Sequence, residues 1–266
     1  MKKYLLTSLA ALISINAHAW TLGSSSKTGF PVSDIKIKIA GNSCVNAGFT
    51  PSTMETLVKD AVEEYWAKVP TSSLELASSG VSALTVTADD LTTAANKTDA
   101  NTILVGCSSD ATTFSSASIL AVGGIGCTNA GVCRAAVLMN DTATTQLDTL
   151  DRTVILATFA HELGHALGLG HTSDKNALMY YSASNKTQKS LAQDDIDGIS
   201  YLYPTEKKLG GLAGACGTID TTPKGGPNNF VGSMFLGIVI ILLANFAIPR
   251  IKQRRHFMPF LVNRSS

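Results

Sequence analysis

Three of the five histidines in this 266-residue chain fall within residues 161–171, which read HELGHALGLGH. An α-helix repeats every 3.6 residues, so His161 and His165 share one face and both imidazoles can reach one cation. Gly168 has no Cβ and can adopt the positive φ that turns the chain and returns His171 as a third ligand. Three neutral histidines leave one position of a tetrahedral zinc ion open. That is the pattern of a catalytic zinc site rather than a structural one.

Glu162 follows the first histidine, so its carboxylate can act on water at the open position without binding the metal. Zinc lowers the pKa of bound water to about 7 and polarises a carbonyl group. Glu162 is then expected to accept a proton as water attacks a peptide carbonyl, and to pass it to the leaving amine. Two alternatives are chance histidines on a helix and a zinc site without catalysis. The presence of Glu162 argues against the second.

The extended motif H-E-x-x-H-x-x-G-x-x-H resembles that of the metzincin metalloproteases, and the segments around it resemble the matrixin branch. Met179 and Tyr180 are similar to the family's Met-turn, in which the methionine packs beneath the ligands without binding the metal. Residues 191–199 (LAQDDIDGI) resemble the start of its last helix, and residues 119–123 (ILAVG) resemble its edge strand. The resemblance covers roughly residues 33–204.

This resemblance implies an α+β fold, a metzincin-like catalytic domain with a small mixed twisted sheet and about three helices. It also implies a protein or peptide substrate that adds to the edge strand as a further antiparallel strand, with Leu120 and Ala121 in contact with it. One catalytic Zn²⁺ is expected. A calcium requirement is compatible with the family, although the sequence shows no loop of oxygen ligands.

Two departures from the family pattern concern the substrate side. Val122 stands where the animal enzymes place a histidine of a second, structural zinc site, and residues 100–145 contain no histidine. We therefore expect no second zinc of that kind. Tyr181 replaces the proline that usually follows the Met-turn tyrosine, so the family pattern does not define the wall of the substrate pocket here.

The N-terminus has the features of a secretory signal over residues 1–19. Lys2 and Lys3 precede an apolar stretch, and the small residues Ala17 and Ala19 stand just before the expected cleavage site. Cleavage there makes Trp20 the mature N-terminus. An uncleaved membrane anchor is the alternative, which the shortness of the apolar stretch disfavours.

The C-terminal part differs in composition from residues 20–204, the predicted protease domain. Residues 205–229 are rich in Gly, Thr, Lys and Pro and are expected to form a linker with a processing motif. Residues 230–248 carry no charge and form a predicted transmembrane helix of roughly 28 Å, about one bilayer core. Residues 249–266 form a basic tail, so the positive-inside rule places the C-terminus in the cytoplasm and the catalytic domain on the extracytoplasmic side of the inner membrane.

This C-terminal layout resembles bacterial sorting tails, which an intramembrane protease cuts to release the protein or move it to the cell surface. Residues 216–222 (CGTIDTT) are the candidate recognition segment. A permanent membrane anchor is the simpler alternative.

The overall formal charge of +1 conceals an acidic central part. Residues 20–223 contain 13 Lys and Arg and all 20 Asp and Glu of the chain, a net charge of −7. Nucleic-acid binding normally needs a basic face, so no nucleic-acid partner is expected.

The chain has five cysteines, and an exported protein can form disulfides. Cys127 and Cys133 flank a short segment and are expected to pair, which leaves Cys44 and Cys107 as a second pair. Spacing alone does not fix the pairing, and Cys216 is left over.

The secondary structure expected around the motif is a mixture of strands and helices. Alternating apolar residues predict a strand over 35–39. An early helix is predicted from Pro51, with a capping box of Ser52 and Glu55, to a stop at Pro70. Further strands are expected near 74–76, 83–87, 102–106, 118–123 and 135–139. A loop is expected over 88–101, the zinc-site helix over 150–168, and a last helix over 191–203 capped by Ser190 with Gln193.

The sequence thus predicts a zinc endopeptidase that acts on extracytoplasmic proteins. The alternative, from another class, is a non-catalytic, zinc-containing surface binding protein that retains the protease fold. The unusual residues Val122 and Tyr181 on the substrate side are compatible with that alternative.

Overall fold

Five strands and four α-helices make up the part of the chain that the computed structural model describes, namely residues 20–23, 29–182 and 187–205. In chain order they are β1 (Asp34–Ile39), α1 (Pro51–Glu64), β2 (Glu75–Val81), α2 (Leu91–Asn96), β3 (Thr102–Ser108), β4 (Ala121–Cys127), β5 (Cys133–Asn140), α3 (Arg152–Ala166) and α4 (Gln193–Leu202). No helix within these ranges is long and apolar enough to cross a bilayer. The predicted signal, the linker from residue 206 onward, the predicted span and the basic tail lie outside the described residues.

The strands form one mixed sheet in the order β2-β1-β3-β5-β4. The pairs β1–β2, β1–β3 and β3–β5 are parallel, whereas β4 runs antiparallel to β5. The expected α+β architecture with a small mixed sheet is therefore confirmed. Because β4 lies at one end of this order, one of its sides is an edge of the sheet.

Both faces of the sheet are covered, which explains why every residue of β3 is buried. Side chains alternate between the faces of a strand. Ile103 and Val105 accordingly join the larger core, to which α1 and α3 contribute, whereas Leu104 joins a smaller core with residues of α2. Through the larger core, the helix of the histidine motif, α3, packs against the sheet.

Helix α1 begins with a different cap from the one predicted. The Thr50 hydroxyl accepts a hydrogen bond from the Thr53 N–H at 3.1 Å, and Pro51 occupies the first helical position. A residue before proline is pushed to extended backbone, which is what an N-cap requires, so Thr50 takes this role instead of Ser52. Glu55 forms an ion pair with Lys59 at 2.9 Å instead of closing a capping box. The helix ends at Glu64, before Pro70, and a 3₁₀ turn follows it.

The expected strand near 83–87 is absent, although the strands at the other predicted positions are present, with bounds that differ by a few residues. Here only isolated backbone hydrogen bonds reach the neighbouring segments, and a side chain binds both backbone groups of one residue. The Asn42 amide donates to the Val86 carbonyl at 2.6 Å, and its oxygen accepts from the Val86 N–H at 2.8 Å. These two hydrogen bonds satisfy the backbone groups of Val86, which a neighbouring strand would otherwise bind.

The expected loop over 88–101 contains α2, so the described residues hold four α-helices rather than about three. The Asp90 carboxylate starts α2 by accepting from the Thr93 N–H at 2.7 Å. Helix α4 is also shorter than predicted and does not use the Ser190–Gln193 cap. The Asp195 carboxylate reaches back to the Ala192 N–H at 2.9 Å instead.

Both predicted disulfides are present. Cys44–Cys107 joins the loop after β1 to β3, and Cys127–Cys133 ties the end of β4 to the start of β5. Cys216 lies outside the described residues.

Candidate metal centre and substrate cleft

Helix α3, most of which is buried, carries the first two histidines of the motif. Ten of its residues, from Ile155 to Gly164, are buried in succession, so the protein core holds this part of the helix in place. His161 and His165 lie one turn apart, and their Nε2 atoms are 3.2 Å from each other. Packing of α3 therefore fixes the separation of the two rings.

The third histidine reaches the same point through the predicted glycine turn. The helix ends at Ala166, and Gly168 has a φ of +106°, a conformation that a side chain would disfavour. The turn carries the chain back, and the Nε2 of His171 lies 3.1 Å from that of His165. The structure thus brings together all three histidines that the sequence nominates.

Two backbone carbonyls define which ring nitrogens carry a hydrogen. The Nδ1 of His161 lies 2.7 Å from the Leu178 oxygen, and the Nδ1 of His165 lies 2.8 Å from the Leu169 oxygen. A carbonyl oxygen can only accept, so in the neutral rings Nδ1 holds the hydrogen and Nε2 presents a lone pair. These carbonyls therefore orient the rings with Nε2 facing the other histidines, as in metal sites whose ligand histidines donate to backbone oxygens.

The arrangement fits a zinc ion. Ligand nitrogens about 2.0–2.1 Å from a tetrahedral ion lie roughly 3.3–3.4 Å apart. The observed separations of 3.1 and 3.2 Å are close to that value. Converging lone pairs repel one another unless a cation lies between them, so the three rings are arranged for a metal. Within the described residues, no other group of His, Cys, Asp and Glu of this kind is present.

Glu162 lies in the same cleft as the three histidines and is 8 % exposed. Helix α3 positions it, because it follows His161 directly and is held by the same buried segment. A largely buried carboxylate that still faces a cleft can exchange a proton with a bound molecule.

The cleft has a volume of about 460 Å³, and the edge strand forms one of its walls. Leu120 and Ala121, the two predicted substrate contacts, lie on this wall together with Val122. Exposed Tyr181 lies on the cleft lining as well, and its ring contacts that of Tyr180 with centroids 4.5 Å apart. Both residues that depart from the family pattern therefore border the cleft.

Met179 is buried and packs against α3 beneath the histidines. A Cβ built on Gly164 would collide with the Met179 sulfur, so the helix accepts the methionine only because residue 164 is a glycine. The Thr172 N–H donates to the Met179 carbonyl at 3.0 Å and links this turn to the segment that follows His171. Met179 therefore occupies a buried packing position against α3.

Asp195 is a residue to which the sequence reasoning gave no role. Its carboxylate accepts the N–H groups of Met179 at 3.0 Å and Leu178 at 2.8 Å, besides that of Ala192. The peptide between Leu178 and Met179 thus donates to Asp195 and accepts from His161. Burial raises the pKa of Asp195, and the three N–H donors oppose that rise. The sequence signal for Asp195 was the Asp-Asp pair in residues 191–199. Two of its partners, Leu178 and Met179, lie in a different segment, so the pair alone does not reveal them.

A second feature that the sequence reasoning missed is the segment Trp20–Gly23, which we term the N-terminal strap. Its backbone pairs with the loop that carries the third histidine: the Gly170 N–H donates to the Thr21 carbonyl at 2.8 Å, and the Gly23 N–H donates to that of Gly168 at 2.9 Å. The Thr21 hydroxyl also donates to the His171 carbonyl. The strap therefore supports the position of His171.

Comparison with known proteins agrees with this geometry. The matrixin family model matches residues 17–204, most of the chain, and the protein belongs to the matrixin family. It is similar to metalloendoproteinase 1 of Glycine max, with 64 % identity over 44 residues, which is 16 % of this chain and 14 % of the relative. Human matrilysin is 56 % identical over 45 residues, 16 % of this chain and 17 % of the relative. Matrix metalloproteinase-27 of Tupaia belangeri is 46 % identical over 68 residues, 25 % of this chain and 11 % of the relative. The matches thus span less than a fifth of the length of these relatives.

Proposed function

We propose that the protein is a zinc endopeptidase that hydrolyses peptide bonds of extracytoplasmic proteins. The observation that carries this proposal is the convergence of three Nε2 atoms beside Glu162, in an open cleft walled by the edge strand. His161, His165 and His171 would hold the ion. Membership of the matrixin family and the names of the matched metalloproteinases support the same chemistry.

The protein's own groups would carry the proton and hold the substrate. A zinc ion in this site would lower the pKa of bound water and polarise the scissile carbonyl. Glu162 would accept the proton of the attacking water and then donate it to the leaving amine nitrogen. The carbonyls of Leu178 and Leu169 would keep the rings of His161 and His165 turned toward the ion throughout.

The edge strand would hold the substrate in an extended conformation. The Leu120 carbonyl already accepts from the Asn140 N–H at 2.9 Å, so the backbone of residue 120 faces β5. Backbone groups of successive strand residues face opposite sides, so those of Ala121 and Gly123 face the cleft. An extended peptide could pair with them as a sixth strand, which would bring one of its carbonyls to the histidines.

Replacement of the proposed base tests the mechanism. Glu162→Gln should retain zinc and lower chelator-sensitive cleavage of casein or gelatin by about 10²–10⁴-fold, the usual contribution of general acid–base catalysis. Glu63→Gln, on the exposed face of α1, is the matched control and should cleave like the parent. Cleavage by the Glu162 variant at the parental rate would refute the mechanism. If the parent protein binds zinc but cleaves no protein, the result would instead favour the alternative of a non-catalytic, zinc-containing surface binding protein.

We further propose that residues 1–19 direct export of the protein and that residues 230–248 anchor it in the inner membrane. Residues 205–229 would then form the linker to the anchor, and residues 249–266 would lie in the cytoplasm. The two disulfides support an oxidising compartment, and the sequence pattern supports the other elements. If the protein is also released from the membrane, an intramembrane sorting protease would cut the C-terminal tail. Mass spectrometry of mature protein tests it, because intact residues 230–266 in all material would exclude the cut.

A further inference from the structure

A second groove lies along the edge strand, on the face of the sheet opposite α3. It has a volume of about 280 Å³ and lies between α2 and the far half of β4. Two glycines show which face it occupies. A Cβ on Gly123 would meet Glu162 of α3, whereas a Cβ on Gly124 would meet Leu91 of α2. The groove and the cleft of the histidines therefore adjoin one strand from its two faces, and a peptide along β4 would border both.

Of the described residues that line this groove, Arg134 alone is charged. Its Nε donates to the Thr98 carbonyl at 2.9 Å, which fixes the side chain against the segment after α2. In the described part of the chain, Arg134 forms no ion pair. Asp99 senses its charge, but the Asp99 carboxylate binds Lys38 at 2.6 Å, and that hydrogen bond is the main cause of its lowered pKa. The half-buried guanidinium thus keeps the N–H groups of both Nη atoms for an anion.

The strand geometry lets a substrate side chain reach this guanidinium. Arg134 of β5 is paired directly with Gly126 of β4, so the two residues share the face that carries α2. The proposed substrate strand would lie about 4.8 Å from β4, and β4 lies one such spacing from β5. Gly126 places no side chain between them, and even a Cβ there would meet no atom within 4 Å. A long side chain opposite Gly126 could therefore extend across β4 and meet Arg134.

We propose that this groove, which we term the Arg134 groove, is a substrate subsite that binds a glutamate side chain on the N-terminal side of the scissile bond. The inference rests on the proposed protease function and names a class of substrate for it. Strand β4 runs away from the histidines, so a peptide antiparallel to it has its N-terminal residues at the groove. Gly123 lies level with Glu162, and Gly126 follows further along β4. The preferred glutamate therefore lies about three to five positions before the cleaved bond.

Charge and length both favour glutamate as the occupant. A guanidinium binds a carboxylate through two parallel N–H···O bonds, which adds direction to the attraction between the charges. Glutamate is one methylene longer than aspartate, and the carboxylate has to cross the width of β4. No Asp or Glu among the described lining residues would repel it. The Cys127–Cys133 disulfide joins β4 to β5 beside Arg134 and keeps this end of the groove in shape.

A scan of one acidic residue along a cleaved peptide tests the subsite. A fluorogenic peptide that the parent cleaves is made with Glu or with Gln at each position up to about six residues before the scissile bond. At one of the positions three to five, kcat/KM should be about 3–10-fold higher for Glu than for Gln, between the effects of an exposed ion pair and a buried charged hydrogen bond. This comparison needs no protein variant. Equal values for Glu and Gln at every position would overturn the subsite.

Variants of the arginine show whether it causes the preference. Arg134→Gln should abolish the preference for Glu, and Arg134→Lys should keep part of it, because the charge remains without the planar fork. Arg134→Glu should reverse it, so that Lys is favoured at the same position, which a purely structural role of Arg134 would not produce. Lys36→Gln removes an exposed positive charge of β1 outside the groove and is the matched control. An undiminished preference in Arg134→Gln, or an equal loss in Lys36→Gln, would refute the assignment.

A binding measurement separates the groove from the chemistry. In an extended peptide of alternating Glu and Thr, all carboxylates lie on one face of the added strand. Fluorescence anisotropy should show that the Glu162→Gln protein binds this labelled peptide about 3–10-fold more tightly than a peptide of Gln and Thr, and a further Arg134→Gln change should remove the difference. Cleavage by the parent without any preference for Glu would refute the groove alone. An Arg134-dependent preference in binding, with no cleavage of any protein by the parent, would support the groove and count against the protease proposal.

Discussion

Close packing between the edge strand and the helix of the histidine motif can be tested by adding one methyl group. A Cβ on Gly123 would overlap the Glu162 carbonyl oxygen and stand 2.8 Å from its carbonyl carbon and 3.0 Å from its Cα. Ordinary contacts of that kind are roughly 3.4–4 Å, so β4 or α3 must move by about 0.5–1 Å in Gly123→Ala. Such overpacking typically costs about 1–3 kcal/mol.

The same displacement separates the proposed substrate-binding strand from the proposed general base. A shift of about 1 Å can lower the rate by about 10²-fold, because the substrate carbonyl no longer lies in place. We therefore expect kcat/KM on a fluorogenic peptide to fall by about 10–10²-fold, and Tm of the zinc-free protein to fall by about 2–12 °C. The two measurements separate damage to the cleft from general loss of stability.

Gly126→Ala is the matched control on the same strand. A Cβ at that position meets no atom within 4 Å, so both kcat/KM and Tm should stay near the parental values. If Gly123→Ala behaves like Gly126→Ala in both assays, the strand and the helix are not in the close contact described. A loss of Tm without a loss of kcat/KM would show that the strand does not position the substrate.

Three further predictions concern the supports of the site. If zinc is present at about 1,000 times its dissociation constant, its removal by a chelator should lower Tm by roughly 8–16 °C. Added zinc should restore the original Tm. An unchanged Tm would argue against a bound metal. Asp195→Asn should leave at least one backbone N–H without an acceptor, so Tm of the zinc-free protein should fall by about 2–12 °C and zinc affinity by about 10–100-fold; parental zinc affinity would exclude a positioning role. Replacement of both cysteines by serine should cost about 4 kcal/mol for Cys44–Cys107, which closes the longer loop, and about 2 kcal/mol for Cys127–Cys133. Urea denaturation measures both, and the reverse order would contradict the loop-closure argument.

Much of the local structure could be predicted because it depends on neighbours in the sequence. The alternation in β1 and the period of α1 are local patterns, and both elements begin close to where they were expected, although α1 ends earlier. Two capping predictions were wrong for a related reason: several residues near each helix start can cap it, and the backbone conformation selects among them. Thr50 was selected by the proline that follows it, and Asp195 took the place of Ser190 and Gln193.

The expected strand near 83–87 shows the limit of pattern reading. The alternation of residue types there is real, but a strand exists only if another strand offers its backbone groups. In the folded chain the Asn42 side chain binds both backbone groups of Val86 instead. No local rule indicates that an asparagine about 40 residues earlier will do so.

The candidate metal ligands could be identified from the residues alone, because helical repeat and a glycine turn bring His161, His165 and His171 together over only eleven residues. What holds those rings and what faces them depends on packing between distant segments: Asp195 behind the Met-turn, the strap against the loop of His171, and β4 along the cleft. The physical reason is that spacing along a helix is fixed by backbone geometry. Contacts between distant segments depend instead on how the whole chain packs.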